Sequence, residues 1–363
     1  MSINNTFYCK FAKKVGKPMQ KRDILIVGQG LAGSLLALEL EKRGKNVMIL
    51  DNNPIVSSSK VAAGLYNPIT GRKMAKTWLA DELFPNLSNY YQDLEKKMNA
   101  RFHFSKTIYR PFNNIEEQND WSLRTVELGY APYIKSTSNH SIEVDQLLDP
   151  LGGFFVNHSG MVDVVTLVSE SKKYFKAQDS YIEWSVPSEA LEMEEENIKL
   201  GSFVADQIIF CEGPMAGINP LWSDLKFRLV KGEILDISCR LIIDHVVSKG
   251  VFMLPYKNHL RVGSTYDNQN QNEDPTEKGK RELLNSLSKL YIGNLEVLKH
   301  QAGLRPATFD RKPFVGFHHK HKNVAIFNGF GSKGVSLIPY FATSLADYIC
   351  FGKKMPLEVN PLR

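Results

Sequence analysis

The chain has few cysteines and no pair of them. Cys9, Cys211, Cys239 and Cys350 are scattered over 363 residues without a CxxC spacing. That excludes a zinc ribbon, a disulfide-built scaffold and a redox dithiol, and it is the cysteine usage of a reduced, cytoplasmic protein. Long apolar runs are missing too. No uninterrupted stretch approaches the roughly 20 residues that cross a bilayer, so no transmembrane helix is predicted and no membrane partner is expected. Acids are missing from residues 1–22, where Lys10, Lys13, Lys14, Lys17, Lys21 and Arg22 carry a charge equal to the whole formal net charge of +6. The remaining body is neutral, which argues against a nucleic-acid partner. The same tail lacks an apolar signal core and, with one Arg, makes a poor transit peptide. It reads as a disordered extension, or as a start assigned too far ahead of Met19. Metal-ligand spacing is absent as well. His318-His319-Lys320-His321 has no acid or Cys at ligand distance and reads as a solvated loop, and the run around Glu194-Glu195-Glu196 reads as a solvated turn.

What the chain does have is Asp23-Ile-Leu-Ile-Val-Gly28-Gln-Gly30-Leu31-Ala32-Gly33, answered by Asp51 at the end of Asn46-Val-Met-Ile-Leu. Ile24–Val27 read as a buried parallel strand, Ser34–Arg43 as a helix closed by Gly44, and Val47–Asp51 as a second strand. Each part has a task in holding a dinucleotide. Gly28 permits the tight turn, Gly30 lets backbone approach a pyrophosphate, and Gly33 lets helix and strand pack closely. The helix start offers N–H groups to phosphates, and Asp51 can accept from ribose hydroxyls, as can the adjoining Asn52. An acid at the end of the second strand disfavours NADP but leaves NAD and FAD open.

A hydrophobic content of 43% and 10% aromatics suit a globular chain of two domains. Ser57–Tyr66, small and polar, reads as a loop crossing the ligand. Thr77–Met98 has helical spacing and Phe102–Phe112 alternates like a strand, while 113–150 is polar and irregular. A helix is predicted over Val164–Phe175, a strand over Tyr181–Val186, an acidic hairpin, and a strand over Val204–Glu212 ending at Gly213. Strand patterns follow at Arg228–Ile237, Gly250–Pro255 and Leu260–Thr265. Asp274-Pro275 reads as a cap and first helical residue for a helix to about Leu290. A last helix is predicted over Val335–Tyr348. This order predicts an α/β fold: a Rossmann-like FAD/NAD(P)-binding domain (23–95, 151–226 and 303–363) interleaved with an antiparallel-sheet substrate domain (96–150 and 227–302), after a basic extension at 1–22.

From residue 23 to 351 the chain resembles the D-amino-acid oxidase/glycine oxidase superfamily of FAD enzymes. The fingerprint is joined in order by Ser58-Ser-Lys-Val-Ala-Ala-Gly64, Arg228-Leu-Val-Lys-Gly-Glu233, Val251–Thr265, Gly303-Leu-Arg-Pro–Gly316 and Asn323–Gly334. The resemblance implies FAD rather than NAD. Members that bind flavin covalently use a His in the first loop or a Cys near the last motif. Here Lys60-Val61 occupy the loop and no Cys lies between Cys239 and Cys350, so non-covalent FAD is expected. The missing paired cysteines and missing Gly-Asp motif disfavour disulfide reductases and hydroxylases.

The family reaction moves a hydride from the carbon bearing an amine to flavin N5. The imine then hydrolyses, and electrons pass to oxygen or another acceptor. A small-molecule amine or amino-acid substrate is therefore expected. The Gly-Leu-Arg-Pro motif implies Arg305 as the fork for the substrate carboxylate. Gly329, Gly331, Ser332, Lys333 and Gly334 are expected near the flavin pyrimidine, with Lys333 adding charge. Ala63 and Gly64 are placed beside the flavin ring, Val186 by the adenine, and Tyr66, Asn67 and Tyr256 around the substrate. Ser332 stands where glycine oxidase-like sequences carry an Arg, so a flavin-retaining binding protein stays open as an alternative. The Phe-Gly-Ser-Lys-Gly loop also resembles the FAD domain of enzymes that complete a methylaminomethyl-uridine in tRNA, a further alternative.

Overall fold

The computed structural model describes residues 19–71, 74–187 and 190–363, so the basic tail up to residue 18 lies outside the described residues. Gln20–Arg22, read as the end of that tail, begin β1 (Gln20–Val27), because their backbone pairs with Phe203, Val204 and Ala205. Ile24–Val27 are buried on both faces, as a central parallel strand requires. Helix α1 (Leu31–Lys42) starts directly after Gly30, three residues earlier than the apolar pattern suggested. It leads to β2 (Val47–Asp51).

The parallel sheet runs Tyr181–Glu183, β2, β1, Phe203–Phe210 and Val324–Asn328, all pairing parallel. The acidic hairpin Leu191–Met193/Ile198–Leu200 and the strand Phe314–Phe317 are added antiparallel. A second, eight-stranded sheet has the order Leu295–Thr308, Phe227–Cys239, His259–Gly263, Val251–Tyr256, Val246–Lys249, Ile108–Pro111, Gly153–Val156, Ile134–Ser138. Its pairs are antiparallel except Val246–Lys249 against Ile108–Pro111. Gly153–Val156 and the Gly303–Thr308 end of Leu295–Thr308 thus join this sheet, past the expected boundaries at 151 and 303. A three-stranded sheet pairs Gly160–Val162 antiparallel with both Leu65–Tyr66 and His103–Ser105.

Several local expectations change. Ser58–Val61 is a short helix, α2, because Ser57 caps it by accepting from the Lys60 amide. The helix expected over 77–98 is two, Ala80–Leu83 and Leu87–Met98, with Pro85 between them. The polar stretch 113–150 contains a helix, Ile115–Arg124, capped by Asn114; among its residues Trp121 alone is buried, which hid its periodicity. Thr276, not Asp274, caps Glu277–Leu287, since its hydroxyl accepts from Gly279 N at 3.0 Å. The strand expected over 181–186 stops at Glu183.

The C-terminal helix runs Gly334–Phe351. The 21-residue stretch Gly331–Phe351 is long and apolar enough by length and composition to cross a membrane, contrary to the expectation from short runs. Serines and an aspartate interrupt its apolar residues, so no uninterrupted run exposes it in the sequence. Half of it is buried inside the protein, with Leu337, Phe341, Ala342 and Leu345 in the same core as Leu35, Leu36 and Leu40 of α1. That is the packing of a core helix.

Candidate FAD and substrate site

The fingerprint residues lie at the carboxyl ends of the parallel strands, where open α/β sheets bind ligands. Gly28 has φ +98°, and a Cβ there would stand 2.6 Å from the Cys211 carbonyl oxygen; at Gly33 it would stand 1.9 Å from the Gly28 oxygen. Gly30 provides no capping side chain to α1. Ser59 Oγ accepts from Leu31 N at 3.0 Å, while the Ala32 and Gly33 amides find no acceptor among the described residues. This cradle of backbone and amides fits a pyrophosphate.

Asp51 is 7% exposed. It accepts from Gln29 N at 2.8 Å, Asn53 N at 3.0 Å and the Tyr181 hydroxyl at 3.2 Å. A carboxylate offers about four lone pairs, so room for a ribose hydroxyl remains. Asn52 is exposed beside it. Val186 lines a cavity of about 140 Å³ with Phe210, Glu212 and Ile218, just before Gly213. Burial raises the Glu212 carboxyl above the ordinary carboxylate range, although Asn219 donates to it.

From the fingerprint a continuous set of contacts leads to the other motifs. Ser58 donates to the Leu304 carbonyl, and the bare Cα of Gly303 faces Val61, whose Cβ lies 3.2 Å from a Cβ built there. Ala63 follows α2, and Gly64 (φ +73°) bonds to Val162. On the far side of Gly303 comes Arg305, and then Ala307, whose Cβ is 3.3 Å from a Cβ built at Gly331. Gly329 (φ +86°) and Gly331 (φ +55°) make the turn into Gly331–Lys333 and the helix from Gly334, with Ser332 exposed. The loop beside α2, the Arg305 strand and the C-terminal loop are therefore one surface, assembled from distant parts of the chain.

Arg305 is half-buried and makes no ion pair among the described residues. Its Nη1 donates to the Thr265 carbonyl at 3.0 Å and its Nη2 to Ser264 Oγ at 2.8 Å, and Tyr266 lies under the guanidinium at 4.4 Å. Burial lowers its pKa from the usual arginine value. Lys333 also has a lowered pKa, chiefly from burial and then from Arg311, and it too has no carboxylate partner among the described residues. The other three candidates each make a hydrogen bond of their own within the protein. Tyr66 is 2.8 Å from His103 Nε2 and lines a separate cavity of about 260 Å³ with Ser105, Lys106 and His158. Asn67 Oδ1 accepts from Ile69 N at 2.9 Å. Tyr256 donates to Asp163 at 3.2 Å and covers Arg261 at 4.0 Å.

Gln29, Ser59, Gly232, Ser264 and Tyr266 were not singled out from the sequence. Gly232 and Ser264 stood inside recognised motifs, but their contacts to Arg305 depend on tertiary pairing.

The chain is similar to several known proteins along most of its length. A glycine oxidase of Bacillus licheniformis is 21% identical over 356 residues, covering 91% of this chain and 94% of that protein. The tRNA 5-methylaminomethyl-2-thiouridine biosynthesis bifunctional protein of Legionella pneumophila is 24% identical over 393 residues, covering 95% of this chain and 57% of that protein. The crystal structure of glycine oxidase from Geobacillus kaustophilus superposes with a TM-score of 0.78 at 19% identity, over 94% of this chain and 97% of that one. The model of the FAD dependent oxidoreductase (DAO) family matches residues 23–348, and the chain belongs to that family.

Proposed function

We propose that the protein oxidises the C–N bond of a small amino acid or secondary amine that carries a carboxylate. The observation that carries this reading is Arg305, a desolvated guanidinium held by neutral acceptors and left without an anion. A carboxylate would satisfy it with two parallel charge-assisted bonds. Gly28–Asp51 and Gly329–Gly334 would hold FAD without a covalent link, and FAD would supply a hydride acceptor there. Arg305 orients the substrate, so that the carbon next to the carboxylate is presented in a fixed pose. Lys333 adds positive potential at the same surface. Loss of a hydride from carbon and a proton from nitrogen gives an imine, and water converts it to a carbonyl compound and an amine. Electrons leave to oxygen or another acceptor.

The test is anaerobic mixing of the holoprotein with amino acids, N-methyl amino acids and polyamines. Bleaching of the flavin by a carboxylate-bearing amine is expected. If no amine bleaches it while dithionite does, the reading fails and a flavin-retaining binding protein takes its place.

One observation favours a second reading, modification of an amine on RNA. The neutral body does gather charge in space. Arg228 pairs opposite Ala307, Arg305 lies in the same strand as Ala307, Gly331 packs on it, and Arg311 lies close enough to Lys333 to lower its pKa. None of the four makes an ion pair among the described residues, and Tyr266 and Phe309 nearby are each 64% exposed. Cations interleaved with exposed rings suit a phosphate backbone and stacked bases. On this reading, protein lacking residues 1–18 shifts tRNA in a gel, salt-sensitively, and Arg228→Glu abolishes the shift. No shift at low salt removes it.

A further inference from the structure

Arg305 raises a physical question: what keeps an unpaired guanidinium in one place? We propose that Lys231-Gly232-Glu233 is a positioning element for Arg305, with Gly232 seating the guanidinium and its two neighbours clamping the strap 264–276 that holds it. This rests on the reading of Arg305 as the carboxylate fork.

Successive residues of a strand point to opposite faces. Gly232 therefore shares a face with Arg305, and Lys231 and Glu233 point away from it. On the Arg305 face the guanidinium lies flat on the Gly232 Cα. A Cβ built there would fall 2.0 Å from Nη2, 2.2 Å from Cζ and 2.5 Å from Nη1. No side chain, not even a methyl, fits without displacing the fork.

The strap begins at Ser264 and Thr265, the two acceptors of Arg305. It is tied edge-on to the same tripeptide. Glu233 N donates to Thr265 Oγ1 at 2.9 Å and Thr265 N to the Glu233 carbonyl at 3.2 Å, while Lys231 and Asp267 exchange backbone bonds of 2.8 and 3.0 Å. The strap then turns under the sheet, where Lys231 and Glu233 wait. Lys231 is fully buried and donates to Asn272 Oδ1 at 2.6 Å and to the Asp274 carbonyl. Glu233, 3% exposed, accepts from Thr276 N at 2.9 Å, the Thr276 hydroxyl at 2.8 Å and His300 Nε2 at 2.7 Å.

The composition of the strap shows why clamping is needed. Asp267–Asp274 holds only polar residues, so it contributes no apolar burial to offset the entropy of ordering it. Its position comes from the two buried charges. These bind the strap without supplying a carboxylate to Arg305, so the fork stays fixed and its charge stays free for substrate.

The experiment titrates holoprotein with glycolate, an inert carboxylate, and follows the flavin absorbance. Arg305→Ala, Gly232→Ala, Glu233→Ala and Glu233→Gln are compared with the parent, with FAD content and melting temperature measured alongside. Gly232→Ala is expected to weaken glycolate by roughly 30-fold or more, the scale of a lost buried charge contact. FAD content and melting should stay within error. Glu233→Ala should weaken it about tenfold, and Glu233→Gln, which still accepts from Thr276, should restore most of the affinity. Parent-like glycolate binding in Gly232→Ala overturns the proposal while leaving the Arg305 reading intact. Parent-like binding in Arg305→Ala sinks both. Affinity losses that only track lost FAD or lowered melting would make the tripeptide structural and likewise overturn it. Should Glu233→Ala fail to fold, Gly232→Ala, on the opposite face, decides alone.

Discussion

Arg305→Ala is expected to leave the protein yellow and to take away its hold on carboxylates. The guanidinium touches Thr265, Ser264, Tyr266 and Gly232 but none of the fingerprint residues, so FAD has no reason to leave. The substrate loses two charge-assisted bonds formed in a desolvated place, about 3 kcal/mol. That is on the order of a hundredfold in affinity. Amines without a carboxylate should be bound as before, because the fork does nothing for them. Arg305→Lys keeps a positive charge but offers no planar fork, and should fall between parent and alanine. Rapid-reaction reduction over a range of substrate concentrations checks this. Equal affinity of parent and alanine variant for acid substrates would refute the clamp.

Gly33→Ala is the second large effect, and it is expected at the other end of the site. The added methyl would stand 1.9 Å from the Gly28 carbonyl oxygen and 3.4 Å from Cys211 Cβ. The first neighbour is backbone inside a strand-to-helix turn, so it has no rotamer into which to retreat. Helix and strand must separate, which costs about 3 kcal/mol, and the amides of the turn lose their common aim. The variant should purify colourless, with denaturant unfolding shifted to lower concentration. Gly44→Ala is the matching control. Gly44, unlike Gly33, has positive φ, +80°, but nothing lies within 4 Å of a Cβ there, so only the left-handed backbone penalty of about 1 kcal/mol applies. Gly44→Ala should keep its FAD. A yellow, stable Gly33→Ala would show that close packing at the turn is not what holds the cofactor.

The fingerprint was legible because its physics is local: a strand, a turn that only glycine tolerates, a helix and an acid all fall within residues 23–51. The antiparallel strands were legible for a similar reason, since apolar strand patterns show within single segments such as Phe227–Cys239. The Ile115–Arg124 helix was not, because one buried Trp121 gives no stripe to detect. Tyr66, Asn67 and Tyr256 were chosen for standing next to recognised motifs. Sequence neighbourhood does not say whether a hydroxyl faces a pocket or, as for Tyr256, bonds Asp163. The reverse held at Gly232, whose role depends on a guanidinium more than seventy residues along the chain. The approach of Arg228 to the Arg305 strand, and of Arg311 to Lys333, was invisible for the same reason. Arg228 and Arg311 are far apart in the chain, and a count of charges has no coordinates.

The order of strands in the parallel sheet has a consequence for biosynthesis. β1 is made early, but its neighbour Phe203–Phe210 is completed only by Val324–Asn328, which is made long after both. Until then the growing chain carries an unfinished half of a sheet whose next strand does not yet exist. The C-terminal helix that covers Leu35 and Leu36 arrives later still. A growing chain therefore displays its glycines long before the sheet that positions them is complete, and capture of a dinucleotide is expected to wait for the late strand.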